Sequence, residues 1–170
     1  YSVDQLGRAS VLGPVSSLQP RYSLLNRQLE TEGQLDWCGQ NNCGILCYSP
    51  MESGLLTGKV NEEWITNLAD TDWRKHKPDH PVASLLHPPK QEPFLKLVSA
   101  LAEIADGTGH TVGQLAVAWT LRRAEVTSAI VGARRTGQIA ETVKAGDWQL
   151  SEEDLQAIEA AHQEFTGAVG

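Results

Sequence analysis

From Cys47 to Lys59 the chain reads Cys-Tyr-Ser-Pro-Met-Glu-Ser-Gly-Leu-Leu-Thr-Gly-Lys, the stretch whose residue types best suit a bound ligand. It follows Gly44-Ile-Leu-Cys-Tyr48, an apolar run that reads as a buried strand, and breaks at Ser49-Pro50 into hydroxyls, glycines and one lysine. A strand ending in such a loop can offer backbone N–H groups and a cation to phosphate. The same residue types also punctuate strand-to-helix connections that bind nothing. A second stretch, Gly132-Ala-Arg-Arg-Thr-Gly137, sets two arginines beside an expected helix start, where side-chain charge and helix dipole would both favour an anion. Its plainer reading is a solvated charge pair on a turn.

Other candidate chemistry is thinner. Three cysteines, Cys38, Cys43 and Cys47, form no CxxC pair, which argues against a disulfide framework and against a tetrahedral zinc site. They read as reduced cytosolic thiols, with Cys47 a small core residue. His76, His80 and His87 invite a metal reading, yet prolines at 78, 81, 88 and 89 prevent a regular helix from presenting them on one face. A solvated loop is the expectation for that region, and no metal is expected.

The elements that must position these residues come from a chain of 170 residues, enough for one domain with a real core. Its 41% apolar and 21% charged content is ordinary for a soluble globular protein, and a net charge of −7 offers no basic field to a nucleic-acid backbone. No apolar run approaches a membrane span, and the first residues resemble no signal peptide, so a cytoplasmic protein is expected. The absence of a starting Met hints at a truncated or processed start.

In order, Ser2 and Gln5 form a possible capping box for a helix ending near Gly13-Pro14, and Val15 to Gln19 reads as a short strand. A helix is expected from Glu30 to about Gln40, then the Ile45–Tyr48 strand. Glu62 to Leu68 suggests one or two helical turns, and an irregular excursion runs on to Gln91. Pro93 opens a helix with Phe94, Leu97, Val98, Leu101 and Ala105 at helical spacing as far as Gly107. Thr111 and Gln114 make a second capping box for a helix through Arg122. Thr127 to Gly132 is a third strand, after which Thr136 is the expected cap of a short helix. Ser151 and Asp154 cap the last helix, with Gly167 as its stop. Helix and strand alternating over short links is the rhythm of parallel βα units, whose ligand loops share the C-terminal sheet edge.

Taken with that order, Gln19-Pro-x-Tyr-Ser-Leu-Leu-Asn-Arg27, Tyr48-Ser-Pro-x-x-Ser-Gly-Leu-Leu-Thr-Gly-Lys59, Gln114-Leu-Ala-Val-Ala-Trp119 and Gly132-Ala-Arg-Arg-Thr-x-Gln-Ile-x-Glu141 resemble the aldo-keto reductases. The likeness is nearest the bacterial branch related to potassium-channel β-subunits and runs from Tyr1 to about Phe165. It implies the C-terminal portion of an α/β protein, an incomplete (β/α)8 TIM barrel of roughly its last three parallel strands with their helices. It also implies NADP(H) as cofactor and aldehydes or ketones as substrates. By that likeness Gln19 would hydrogen-bond the nicotinamide carboxamide and Tyr48 would stack on its ring. Ser49, Pro50, Met51, Ser53, Gly54 and Leu55 would wrap the pyrophosphate, with Lys59 adding charge. Gly132, Arg134 and Gln138 would face the adenosine 2′-phosphate, and Glu141 and Thr142 the adenine.

The chain departs from the family at Met51-Glu52, where a small apolar pair is usual and where Glu52 would bring negative charge near the pyrophosphate. Pro20-Arg21 stands for a common Pro-Pro, and Thr142 for a frequent Asn. The family's catalytic Asp, Tyr, Lys and His belong to earlier strands, so no catalytic residue is expected within this chain. A full barrel takes about 250 residues or more. The expected partners are therefore a carbonyl substrate once a front half completes the barrel, with self-association or pairing through exposed sheet edges. Neither nucleic acid nor membrane is expected. A rival reading is a catalytically inactive NADP-binding or regulatory module. Half of a helix-turn-helix at Thr111–Arg123 is opposed by the net charge and by the strand-like segment that follows.

Overall fold

The computed structural model describes residues 1–170. In chain order the elements are α1 (Val3–Ser10), β1 (Ser17–Leu18), α2 (Gln28–Thr31), α3 (Gln34–Gln40), β2 (Gly44–Tyr48), α4 (Glu62–Thr66), α5 (Trp73–His76), α6 (Gln91–Gly107), α7 (Val112–Leu121), β3 (Val126–Ile130), α8 (Gln138–Thr142) and α9 (Glu152–Val169). Short 3₁₀ turns at Glu52–Gly54, Ala83–Leu86 and Val143–Gly146 join them. The chain divides into two compact units, Tyr1–Pro50 with Ala116–Gln149, and Met51–Leu115 with Leu150–Gly170. No helix is long and apolar enough to cross a membrane.

In the first unit α1 starts where the sequence expects it. The Gln5 N–H donates to Ser2 Oγ at 3.3 Å and the Ser2 N–H to Gln5 Oε1 at 2.8 Å, a reciprocal cap that satisfies donors the helix leaves open. The strands form a parallel sheet in the order β1-β2-β3. Ser17 pairs with Gly44, and Tyr48 pairs with Ile130 after a register irregularity at Ile45/Leu46. Gly44 is required by close approach: a Cβ there would stand 2.7 Å from Thr127 Oγ1. Tyr22, Leu24, Ile45 and Cys47 are fully buried, each such side chain contributing roughly 1.5–3 kcal/mol through the area it removes from water.

Two expectations for this unit are corrected. The single helix from Glu30 to Gln40 is two, α2 and α3, because Gly33 turns the chain left-handed at φ 80°, a conformation an α-helix cannot continue through. The cap of α8 is not Thr136 but Gly137, also left-handed at φ 84° and without a side-chain hydrogen bond.

In the second unit α6 packs on α9, where the Phe94 and Phe165 rings meet edge-on at 6.3 Å. The capping boxes expected for α7 and α9 are present: the Gln114 N–H donates to Thr111 Oγ1 at 3.2 Å, and the Asp154 N–H to Ser151 Oγ at 3.0 Å. α6 begins two residues before Pro93, which sits within its first turn, and α9 runs through Gly167 to Val169 rather than stopping there. The stretch expected as a solvated loop is anchored: Val82, Ala83 and Leu86 are buried, and each of its histidines bonds locally. His76 Nε2 pairs with the Asp70 carbonyl at 2.6 Å and His87 Nε2 with the Arg74 carbonyl at 3.0 Å, while His80 Nδ1 accepts from the Val82 N–H at 3.2 Å. No group of three metal-ligating side chains gathers anywhere.

Candidate functional site

The first unit brings the ends of its strands together through backbone pairing past β1. The Tyr48 N–H donates to the Pro20 carbonyl at 2.9 Å, and the Tyr22 N–H donates to the Tyr48 carbonyl at 3.3 Å. This ladder, an isolated parallel bridge between Arg21 and Tyr48, sets Gln19 and Tyr48 along one cavity of about 360 Å³. Pro20, Arg21, Asn26 and Gln28 also line it. Tyr48 is 43% exposed, unusual for an aromatic at the end of a buried strand, and its flat ring is available for stacking. Ser49 follows at φ 57°, which swings the chain out of the strand, and Pro50 is buried.

The Tyr48–Ile130 register fixes where the loop after β3 begins, and Gly132, Arg134 and Arg135 are all exposed on it. Gln138 ties this loop down: its Oε1 accepts from the Arg134 N–H at 2.9 Å. The Thr142 hydroxyl donates to the Gln138 carbonyl at 2.9 Å and is thereby occupied within α8. Glu141 faces solvent. This unit thus holds an exposed aromatic ring and an amide residue on one cavity, and an exposed arginine-bearing loop.

The second unit carries the other candidate residues on one tight turn. Met51 (φ −100°) precedes Glu52, Ser53 and Gly54 at φ 45°, 53° and 93°. A right-handed residue followed by a left-handed one, as at Met51-Glu52, is the pairing that can converge successive N–H groups on an anion, and here the N–H groups of Gly54, Leu55 and Leu56 already donate to the Met51 and Glu52 carbonyls. Gly54 and Leu56 N–H groups close the turn onto the Met51 carbonyl at 3.0 and 3.2 Å, and Leu55 and Leu56 anchor it as fully buried side chains. Lys59 is exposed beyond it. Glu52, expected to bring negative charge toward a pyrophosphate, is 2% exposed, so its side chain is folded inward.

Sequence reasoning missed Arg74. Its Nη1 donates to the Ser53 carbonyl at 2.8 Å, and Asp72 holds the guanidinium by two contacts at 2.9 and 2.6 Å. The guanidinium also lies 4.8 Å from the Trp64 ring. Only the local Asp72-x-Arg74 pairing hinted at this, since nothing in the spacing connects it with a residue 21 positions earlier.

Two of the thiols, Cys38 and Cys47, are held protonated. Burial, then the hydrogen bond with Cys43, pushes Cys38 up to about 12, and burial likewise raises Cys47, so neither is a thiolate at neutral pH.

Comparison with known proteins gives the family of the chain. The model of the Aldo/keto reductase family matches residues 1–163, and the chain belongs to that family. It is 35% identical over 147 residues to an L-glyceraldehyde 3-phosphate reductase of Escherichia coli, covering 86% of this chain and 41% of that protein. A probable voltage-gated potassium channel subunit beta of Arabidopsis thaliana is 36% identical over 141 residues, covering 82% and 40%. Among solved structures, a glycerol dehydrogenase from Gluconobacter oxydans superposes with a TM-score of 0.82 at 27% identity, covering 95% of this chain and 46% of that one. The chain therefore spans less than half the length of these relatives, and its three parallel strands with their helices are an incomplete (β/α)8 barrel.

Proposed function

We propose that these residues are the C-terminal part of one reductase barrel domain and supply most of a nicotinamide-cofactor site for the reduction of aldehydes or ketones with NADPH. The carrying observation is Tyr48, whose ring is exposed on the same cavity as Gln19 while its backbone N–H donates to the Pro20 carbonyl. Gln19 orients the nicotinamide carboxamide and Tyr48 covers one face of the ring. The Ser49–Leu55 turn (Ser49, Pro50, Met51, Ser53, Gly54 and Leu55) and Lys59 hold the pyrophosphate, and Arg74 keeps that turn in shape through the Ser53 carbonyl. Gly132, Arg134 and Gln138 receive the 2′-phosphate, with Glu141 and Thr142 at the adenine, the last contact weakened by the hydroxyl's bond to Gln138. The bound cofactor supplies the hydride. Reduction also needs a proton delivered at the carbonyl oxygen, and this chain's contribution is to bind and orient rather than to donate it.

The test is calorimetric titration of the purified chain with NADPH and NADH, with tryptophan quenching as a second readout. Saturable binding that favours NADPH is expected, together with no oxidation of NADPH by an aromatic aldehyde above the buffer rate. Absence of binding, or genuine turnover, overturns the corresponding half of the reading.

A second reading concerns association. β1 and β3 are the outer strands of a parallel sheet, and parallel sheets are ordinarily covered and continued on both sides. The chain then self-associates or pairs with a polypeptide carrying the front of the barrel. Light scattering should find species larger than 18.5 kDa, and a monodisperse monomer would sink the idea.

A further inference from the structure

One group of polar residues in the first unit, built around the buried Tyr22 and the half-buried Glu30 and Arg122, is not explained by any of the cofactor contacts. Tyr22 is fully buried, and its hydroxyl donates to a Glu30 carboxylate oxygen while accepting from Arg122 Nη1 at 2.8 Å. Arg122 Nη2 pairs with the same Glu30 oxygen, and Nη1 also donates to the Trp119 carbonyl at 2.8 Å. The Arg122 guanidinium carbon lies over the Trp119 indole, 3.6 Å from its centroid, with that of Arg27 at 4.7 Å from the same ring and the Tyr22 ring 5.3 Å away. One guanidinium thus joins the end of α7, the helix α2 and the loop after β1, partners 92 and 100 residues distant in sequence.

The backbone of Tyr22 is itself part of the candidate site. Its N–H holds the Tyr48 carbonyl, and Tyr48 holds Pro20 in turn. Tyr22 is therefore clamped at both ends: the hydroxyl by Arg122 and Glu30, the main chain by the residue whose ring forms the exposed wall.

We propose that Arg122 is a positioning residue for the Gln19–Tyr48 wall, acting through Glu30 and the Tyr22 hydroxyl. The inference rests on the reading that this wall receives a nicotinamide. A lysine cannot replace Arg122, because a single ammonium has neither the two-pronged donor geometry nor the flat face that stacks on Trp119. Glu30 makes the arrangement tolerable, since a guanidinium and a phenol drawn from water need their hydrogen bonds completed.

The experiment compares wild type with Arg122→Lys by residue-resolved amide hydrogen exchange and by binding of two ligands. One ligand is NADPH and the other is 2′,5′-ADP, which has the adenosine bisphosphate end and no nicotinamide. In Arg122→Lys the Tyr48 and Tyr22 amides should exchange about tenfold faster, while the Ile45 amide, bonded to the Glu125 carbonyl, stays within about twofold. NADPH binding should weaken about tenfold with 2′,5′-ADP unchanged. Unchanged Tyr48 exchange, equally accelerated exchange at Ile45, or equal loss of both ligands would each overturn the proposal. Should Arg122→Lys not fold, Tyr22→Phe removes only the bridging hydroxyl and must show the same selective pattern. If wild type binds neither ligand, the cofactor reading fails and the exchange pattern alone decides whether Arg122 sets the wall.

Discussion

Replacing Arg134 by Gln removes one exposed cation from a loop otherwise held by its own backbone N–H bond to Gln138, so folding should be nearly untouched. If this loop receives a 2′-phosphate, NADPH binding weakens by about 1.5–3 kcal/mol, the range for a hydrogen bond to a charged group, and NADH binding stays the same. Titration of both cofactors against both proteins checks it, and equal losses would remove Arg134 from the phosphate site. A second residue-scale effect is set by groups kept protonated. Burial, then the bond with Cys43, holds the Cys38 thiol up to about 12. Burial, reinforced by the Glu30 carboxylate, raises the Tyr22 phenol well above its ordinary value. In both cases the folded state keeps a proton the unfolded chain loses. The stability these groups contribute is therefore complete below about pH 8.5 and falls as pH rises, first through Cys38 and the likewise raised Cys47, and from about pH 10 through Tyr22 as well. The slope is at most about 1.4 kcal/mol per pH unit per group. Urea midpoints across pH 8 to 11 read it, and Cys38→Ser should flatten the first part of the fall.

Among the elements, the closest interstrand fit is the one most open to attack. Gly44→Ala would push a methyl to 2.7 Å from Thr127 Oγ1, so it should destabilise the first unit by about 1–3 kcal/mol. Adding Thr127→Ala, which removes that oxygen, should restore most of the loss; a double variant as weak as the single one would show the strain lies elsewhere. The elements also show what a sequence can disclose. Ser2 with Gln5, Thr111 with Gln114 and Ser151 with Asp154 are legible because both partners of each box lie within one turn. Gly33 and Gly137 are legible only as residues: their left-handed φ values decide where α3 and α8 start, and glycine permits that conformation without demanding it. The candidate site divides the same way. Tyr48, the glycine turn and Arg134 are visible in local spacing, whereas Arg74 on Ser53 and Arg122 on Tyr22 are contacts across 21 and 100 residues that no periodicity encodes.

For the whole molecule, the division into two units matters as much as the family. Tyr48 and the arginine-bearing loop belong to Tyr1–Pro50 with Ala116–Gln149, and the left-handed turn at Glu52–Gly54 to Met51–Leu115 with Leu150–Gly170. Each portion has its own buried side chains, Tyr22 and Ile45 in one and Phe94 and Leu101 in the other, so their stabilities need not be equal. Tryptophan fluorescence would blend them, since Trp37, Trp119 and Trp148 lie in the first unit while Trp64 and Trp73 lie in the second.

The cysteines do not blend them. Cys38, Cys43 and Cys47 are all buried, and all belong to the first unit. Iodoacetamide can reach them only when that unit opens, so the rate of alkylation is a clock wound to one half of the chain. Under native conditions the three thiols should be modified together rather than singly, and a ligand that seats on Gln19 and Tyr48 should slow the clock in proportion to its occupancy. Mass spectrometry after timed quenching reads both, and stepwise labelling of one thiol ahead of the others would mean that this half comes apart in pieces.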